Sequence, residues 1–434
     1  MRGGIGCAIF EGMKAFSFAF VLTGLVVAVP AVAAPVCDSA FSPAEAWAEV
    51  RQELAENYAY WDRIDAVAAF DAATPAMLAA PDRAAFADRL ETLLLLFRDS
   101  HVHVSPTSQP ASAWVPSAAD LWFNLQGDHV VVQDVKSASL AQKTGIRPGW
   151  ELVDIEGRDP RQTVRDRFAA IGVTPDAAQE VYAVNALSAG RLKQPRRMTF
   201  RVKGRLKAIT LPPGYDSVQR PATPLSVTQI ATPGQPAVTV IRINNALGDN
   251  TLIAAFDAAI AATPSDARVV VDMRDTPSGG NTTVARAMIG HFVTAPRPYQ
   301  RHELTYERVK YGVPRVWVEY VQPRAPLRPA PVVLAGLWSG SMGEGIVIGL
   351  NAAADAPVVG SPMGHLLGAM IEDELPKACL KISFANEKLW HIDGRPREDF
   401  VPTVPVPSAD TAIDGSDAAL AEAIKWAGPA AARP

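Results

Sequence analysis

The run Gly336-Leu337-Trp338-Ser339-Gly340-Ser341-Met342-Gly343-Glu344 follows the apolar stretch Val332-Val333-Leu334-Ala335 and leads into a helical pattern. A serine between a buried strand and a helix N-terminus has an exposed hydroxyl, and backbone N–H groups face whatever becomes attached to it. One turn can thus supply a nucleophile and half of an oxyanion hole. The same position lets Ser339 or Ser341 act only as a helix cap. The lipase-type Gly-x-Ser-x-Gly pattern does not fit, because Ser339 stands where its first glycine belongs.

A serine hydroxyl is a weak nucleophile at neutral pH and needs a base. Seven histidines are available: His101, His103, His129, His291, His302, His365 and His391. His101 stands out, because Ser100 precedes it and it lies where a long helical pattern hands over to a strand. If 101–103 is extended, His103 points to the other face. His365, in the loop after Val358-Val359-Gly360, is the competing base. No His-Glu-x-x-His occurs and His101-Val102-His103 alone is a poor ligand set, so neither a metal nor another cofactor is expected.

Three stretches must position these residues. From Phe41 to Phe97 the pattern is helical, opening on the cap sequence Ser42-Pro43-Ala44-Glu45. Trp47, Val50, Leu54 and Tyr58 then share one face, and a second helix from about Arg83 to Phe97 buries Phe86, Leu90, Leu93, Leu94 and Phe97. It stops at Arg98-Asp99-Ser100-His101. Between Pro116 and Pro213 short strands and turns take over, among them Val130 to Val135, Glu151 to Ile155, and the turn Gly145 to Gly149. From Pro236 to Pro407 strands and helices alternate, which predicts a partly parallel sheet with helices on its faces. Chemistry in such sheets gathers at the carboxyl ends of the strands. Two of those ends carry glycine-rich turns: Pro277-Ser278-Gly279-Gly280, and the turn holding Ser341.

A chain of 434 residues has room for two or three domains, and 48% hydrophobic against 20% charged residues excludes general disorder. Lys plus Arg number 41 against 45 Asp plus Glu, a net charge of −4 without a basic cluster, which excludes charge-driven capture of nucleic acid. Met13-Lys14, the apolar run Ala15 to Val29 and the Ala-x-Ala ending near Ala33 read as a secretory signal peptide cleaved after Ala33. A retained membrane anchor is the alternative, and no other segment is long and apolar enough to span a bilayer. The expected location is therefore periplasmic or secreted. Cys37 and Cys379 remain after cleavage and could form one disulfide there.

Ala141 to Gly157 resembles the PDZ signature, with Trp150 in place of the usual aspartate. PDZ domains take extended peptides by strand addition. The loop near Leu121-Trp122-Phe123, which would hold a peptide carboxylate, lacks the small residues suited to that task. Peptide capture and a packing or lid role both stay open.

Taken in order, the helical segment, Asp99-Ser100-His101, the PDZ-like insert, the paired glycines, Ser341-x-x-Glu344, Val358-Val359-Gly360 and the late Asp-Gly and Val-Pro segments resemble the tail-specific (C-terminal processing) serine peptidases and the related tricorn core. The resemblance covers nearly all of the mature chain. It implies a mixed α/β catalytic core of ClpP/crotonase type with an N-terminal helical segment and an inserted PDZ-like module. The corresponding divisions are 1–33 (signal peptide), 34–112 (helical segment), 113–215 (PDZ-like) and 216–434 (peptidase core).

The resemblance also implies roles. Ser341 would be the nucleophile, supported by Glu344. The lysine base of the processing branch is absent, since 361–371 contains no lysine and Leu366 stands near its place. The tricorn-like branch uses a histidine beside a serine, which matches Ser100-His101, and a late glutamate, which points to Glu398 with Asp399 as the alternative. Oxyanion donors would be the N–H groups of Met342 and of Gly279 or Gly280. The expected function is an exported serine peptidase acting on polypeptides, with no nucleic-acid partner, no membrane span after cleavage, and the oligomeric state open. Two alternatives are a catalytically inactive relative that binds peptides or hydrophobic ligands, and a serine esterase of a different fold.

Overall fold

The computed structural model describes residues 40–105, 119–191, 194–214, 216–231, 233–234 and 236–427. The expected signal peptide, Cys37 and the expected boundary near residue 112 lie outside them. Helices α1 (Pro43–Asn57), α2 (Ala66–Leu78) and α3 (Arg83–Leu94) form the N-terminal segment. The Ser42 hydroxyl accepts the Glu45 N–H at the start of α1, and Trp47, Val50 and Leu54 face inward as their spacing predicts. A 3-10 turn, Leu95–Phe97, follows α3, and Arg98 adopts a left-handed conformation with φ 51°. The Val102 N–H then donates to the Asp99 carbonyl at 3.1 Å, so strand β1 begins only at His103 (His103–Ser105). Residues 101–103 are therefore bent, and the expectation that His103 turns away from His101 does not hold.

The inserted module comprises β2 (Leu121–Gln126), β3 (His129–Val135), α4 (Leu140–Lys143), β4 (Glu151–Ile155), α5 (Pro160–Ala169), α6 (Ala177–Ala189), β5 (Arg196–Val202) and β6 (Arg205–Leu211). Its strands form an antiparallel sheet in the order β2-β3-β4-β5-β6. Leu121-Trp122-Phe123 is the first half of β2 rather than a loop. On the edge of that strand, the Asn185 side chain from α6 accepts the Phe123 N–H and donates to the Phe123 carbonyl, both at 2.9 Å. The amide fills hydrogen-bonding positions that an added peptide strand would use.

The third stretch contains β7 (Leu225–Ile230), β8 (Val238–Ile243), α7 (Thr251–Ala262), β9 (Arg268–Asp272), α8 (Thr282–Gly290), β10 (Arg297–Leu304), α9 (Thr305–Tyr311), β11 (Arg315–Val321), β12 (Val332–Ala335), α10 (Met342–Ala354), β13 (Val358–Gly360), β14 (Ala369–Leu375), β15 (Leu380–Trp390), β16 (Val404–Pro405) and α11 (Ala418–Ala427). A six-stranded sheet runs β16-β13-β12-β9-β8-β7, parallel except for β7. Ile241, Ile243, Val269, Val271 and Val333 pack with residues of α7, α8 and α10, whereas Val238, Val240, Val270 and Leu334 pack with Ala419 and Ala423 of α11. With both faces covered, the strands need apolar side chains at every position, hence their continuous valine-rich runs. The mixed α/β class is as expected.

A second, antiparallel sheet joins β1, β15, β10 and β11, with β14 on the other side of β15. Its hairpin β14–β15 shares one hydrophobic core with α1, α2, α3 and the module. All of these elements belong to one compact unit.

Candidate active site

Ser341 stands at the N-terminus of α10, directly after β12, with φ 52° and ψ −117°. A non-glycine residue held there is strained, and the turn keeps it so through its neighbours. Ser339 is fully buried; its hydroxyl donates to the Met273 carbonyl at 2.9 Å and accepts the Gly336 N–H at 3.1 Å. Ser339 thus braces the turn from inside, which leaves Ser341 as the serine facing outward. The turn after β9 lies against it: Thr276 N–H donates to the Trp338 carbonyl at 3.0 Å, and Gly340 N–H to the Thr276 carbonyl at 3.2 Å. A Cβ on Gly279 would sit 2.8 Å from the Ser341 hydroxyl oxygen and closer still to its Cβ, so only glycine permits this approach.

Gly279 N–H is already given to the Thr276 carbonyl, at 3.2 Å. Among the described residues, no acceptor meets the N–H of Gly280 or Met342. Of the two glycines considered, Gly280 is therefore the one with a free donor.

His101 lines the same cleft as Ser341, a space of about 720 Å³ that also touches Gly279, Gly280, Leu366 and Met370. His103 lines it too, with its Nδ1 buried and without a hydrogen-bond partner among the described residues. The His101 ring is buried, and its Nδ1 lies 2.6 Å from the Leu367 carbonyl. A carbonyl only accepts, so Nδ1 carries the proton and Nε2 keeps its lone pair. Burial lowers the His101 pKa to about 4, against the Leu367 carbonyl, which raises it. Asp99 holds this arrangement: one carboxylate oxygen accepts the N–H groups of His101 (3.0 Å) and Leu367 (3.2 Å), and the other accepts the Tyr58 hydroxyl at 3.0 Å.

Glu344 ties the serine turn to the same loop. Its buried carboxylate accepts N–H groups from Ser341 (2.9 Å), His365 (2.9 Å) and Leu366 (3.2 Å). Burial pushes its pKa up to about 7, opposed by the Arg397 guanidinium 3.7 Å away. Arg397 in turn donates to the carbonyls of Leu366 and Gly368.

The remaining candidates make other contacts. Ser100 also lines the cleft, yet its hydroxyl pairs with the Tyr182 hydroxyl at 3.1 Å and not with the His101 ring. Glu398 and Asp399 line a separate cavity with Arg63, Tyr182 and His365, and among the described residues no hydrogen bond joins either acid to His101. Both acids belong to the short turn Arg397–Asp399. His365 donates its Nδ1–H to the Glu398 carbonyl at 2.9 Å and is not part of the cleft with Ser341. The sequence reading missed Leu367 and Asp99; the Asp99-Ser100-His101 triplet was the only available pointer to the latter. No cluster of His, Cys, Asp or Glu among the described residues could hold a metal ion.

No family profile and no curated protein sequence matches the chain. Solved structures do. Mature CPAF superposes with a TM-score of 0.58 at 13% identity, over 89% of this chain and 96% of that one. The photosystem II D1 C-terminal processing protease gives 0.53 at 13% identity, over 85% and 95%. A putative peptidase from Parabacteroides merdae gives 0.53 at 13% identity, over 89% and 97%. The chain shares the fold of tail-specific serine peptidases.

Proposed function

We propose that the chain is an exported serine peptidase that cleaves polypeptides through Ser341 and His101. The observation that carries this reading is the shared cleft: a strained serine at a helix N-terminus, a neutral imidazole with a free Nε2, and two unused backbone donors. In the proposed reaction Nε2 of His101 takes the Ser341 proton as the hydroxyl attacks the peptide carbonyl. The N–H groups of Met342 and Gly280 receive the developing oxyanion. His101 returns its proton to the leaving amine, and a water repeats the sequence to release the acyl group.

The Leu367 carbonyl takes the orienting place that an acid occupies in other serine peptidases. It fixes the tautomer and shares the charge of the imidazolium. Asp99 and Glu344 act as positioning residues for the base and the nucleophile. The leader before Ala34 supports export, and the insert is proposed to be a PDZ-like module whose strand edge is occupied by Asn185.

One observation favours the second reading, an inactive peptide or hydrophobic-ligand binder: among the described residues the imidazole has no carboxylate partner. Hydrolysis separates the two. Ser341→Ala is expected to abolish cleavage of an unfolded polypeptide while circular dichroism stays unchanged; a fully active Ser341→Ala chain overturns the assignment.

A further inference from the structure

Lys136, just beyond β3, is completely buried yet has no part in the proposed chemistry. Its ammonium donates to the Arg274 carbonyl at 2.6 Å and to Asp410 at 2.9 Å, and lies 3.6 Å from Asp275. It also sits 5.3 Å from the centre of the Trp338 ring. Arg274 and Asp275 open the turn that ends in Gly279-Gly280, and Trp338 belongs to the turn that ends in Ser341. Those turns are joined at Thr276, which exchanges hydrogen bonds with Trp338 and Gly340. One ammonium from the inserted module therefore meets both turns at their common root.

The surroundings hold it there. Asp410 also accepts the Ser137 hydroxyl at 2.8 Å, and Asp134 accepts the N–H groups of Asp410 (3.1 Å) and Thr411 (3.0 Å). Arg220 grips both oxygens of Asp275 at 2.8–3.0 Å. From the module side, Trp338 Nε1–H donates to the Ala119 carbonyl. Stability alone does not account for a lysine here. A well-packed apolar side chain of the same length often replaces a buried ion pair without loss. Such a side chain could fill the space but could not hold a carbonyl.

We infer that Lys136 is a positioning residue for the oxyanion hole. By fixing the Arg274 carbonyl and the Trp338 ring against each other, it sets the spacing between the N–H groups of Gly280 and Met342. Activity then requires the module to be docked on the core. The inference rests on the peptidase reading above.

The test uses the full chain in two variants. Lys136→Met keeps the length of the side chain. Lys136→Met/Asp410→Asn also removes the carboxylate that the first change orphans, while the amide oxygen still accepts from Ser137. For each, kcat and KM are measured on a peptide substrate, together with inactivation by a peptidyl phosphonate whose P=O occupies the oxyanion hole. Circular dichroism reports the fold.

Misplacing such donors by about 1 Å costs roughly 100-fold in rate. The expected result is a folded protein whose kcat falls about 30- to 100-fold, with KM within about threefold. Phosphonate inactivation should fall in parallel. Three results overturn the inference: folded variants with kcat near wild type, a loss confined to KM, or failure of both variants to fold, which leaves the lysine purely structural. Absence of modification at Ser341 in the wild type instead defeats the peptidase reading, and this inference with it.

Discussion

At the residue scale the central feature is a buried histidine held neutral at the proposed site. Its lowered pKa, about 4, comes first from burial, with smaller contributions from Arg397 and His103. A lowered value keeps the imidazole unprotonated, so the acid limb of activity moves down in pH with it. We expect the His101 ring to stay neutral between about pH 7 and about pH 5.5, read from its imidazole NMR shifts; a ring titration centred near the ordinary histidine value of about 6.5 contradicts the account. Ser341 and His101 were legible in the sequence because each sits in a short, chemically marked turn. Leu367 was not, because it acts through a backbone carbonyl 266 positions away from His101, and a carbonyl leaves no trace in residue type.

At the scale of elements, two strand-to-helix turns build the site jointly, and their glycines make the approach possible. Gly279 has φ 63°, and any Cβ there would press on Ser341 and lie 3.1 Å from the Met342 nitrogen. On the proposed mechanism, Gly279→Ala is therefore expected to lower kcat/KM by about 100-fold or more, since either Ser341 or the Met342 N–H must move. A folded Gly279→Ala protein with near-normal kcat/KM would show that this turn does not border the reacting atoms. The strands β8, β9 and β12 could be read from the sequence, because burial on both faces demands uninterrupted apolar runs. The second sheet could not. Strands β10 and β15 carry Arg301, Glu303, Lys381, Glu387 and Lys388, and long-range pairing rather than local pattern defines them.

At the scale of the whole molecule, the helical segment, the module and the β14–β15 hairpin share one core, and their junctions are filled with buried ionisable groups. The fold class was readable from strand–helix alternation. The Lys136–Asp410–Asp275 cluster was not, because its members are spread over three distant stretches of chain. Burial raises Asp99 to about 6, Glu344 to about 7 and Glu91 to about 8. Each binds a proton more tightly folded than unfolded, so each loses stability as pH rises from about 4 through its folded value. His101 acts oppositely, losing stability as pH falls from about 6.5 toward 4. Asp272, though buried, is held low by Arg274 and Arg242, and its contribution disappears only in stronger acid. Asp134 is raised as well, to about 7, and burial lowers His103 and His365 along with His101. The raised carboxyls still outweigh the histidines over this interval, so the urea midpoint should be higher near pH 5 than near pH 8. A midpoint that climbs steadily from pH 5 to pH 8 contradicts this balance.

The most direct test of the account is to treat the intact chain with a fluorophosphonate and locate the adduct by peptide mapping. The expected result is a single adduct on Ser341, lost in Ser341→Ala and strongly slowed in His101→Ala. An adduct on another serine, or none on a correctly folded chain, contradicts the central claim.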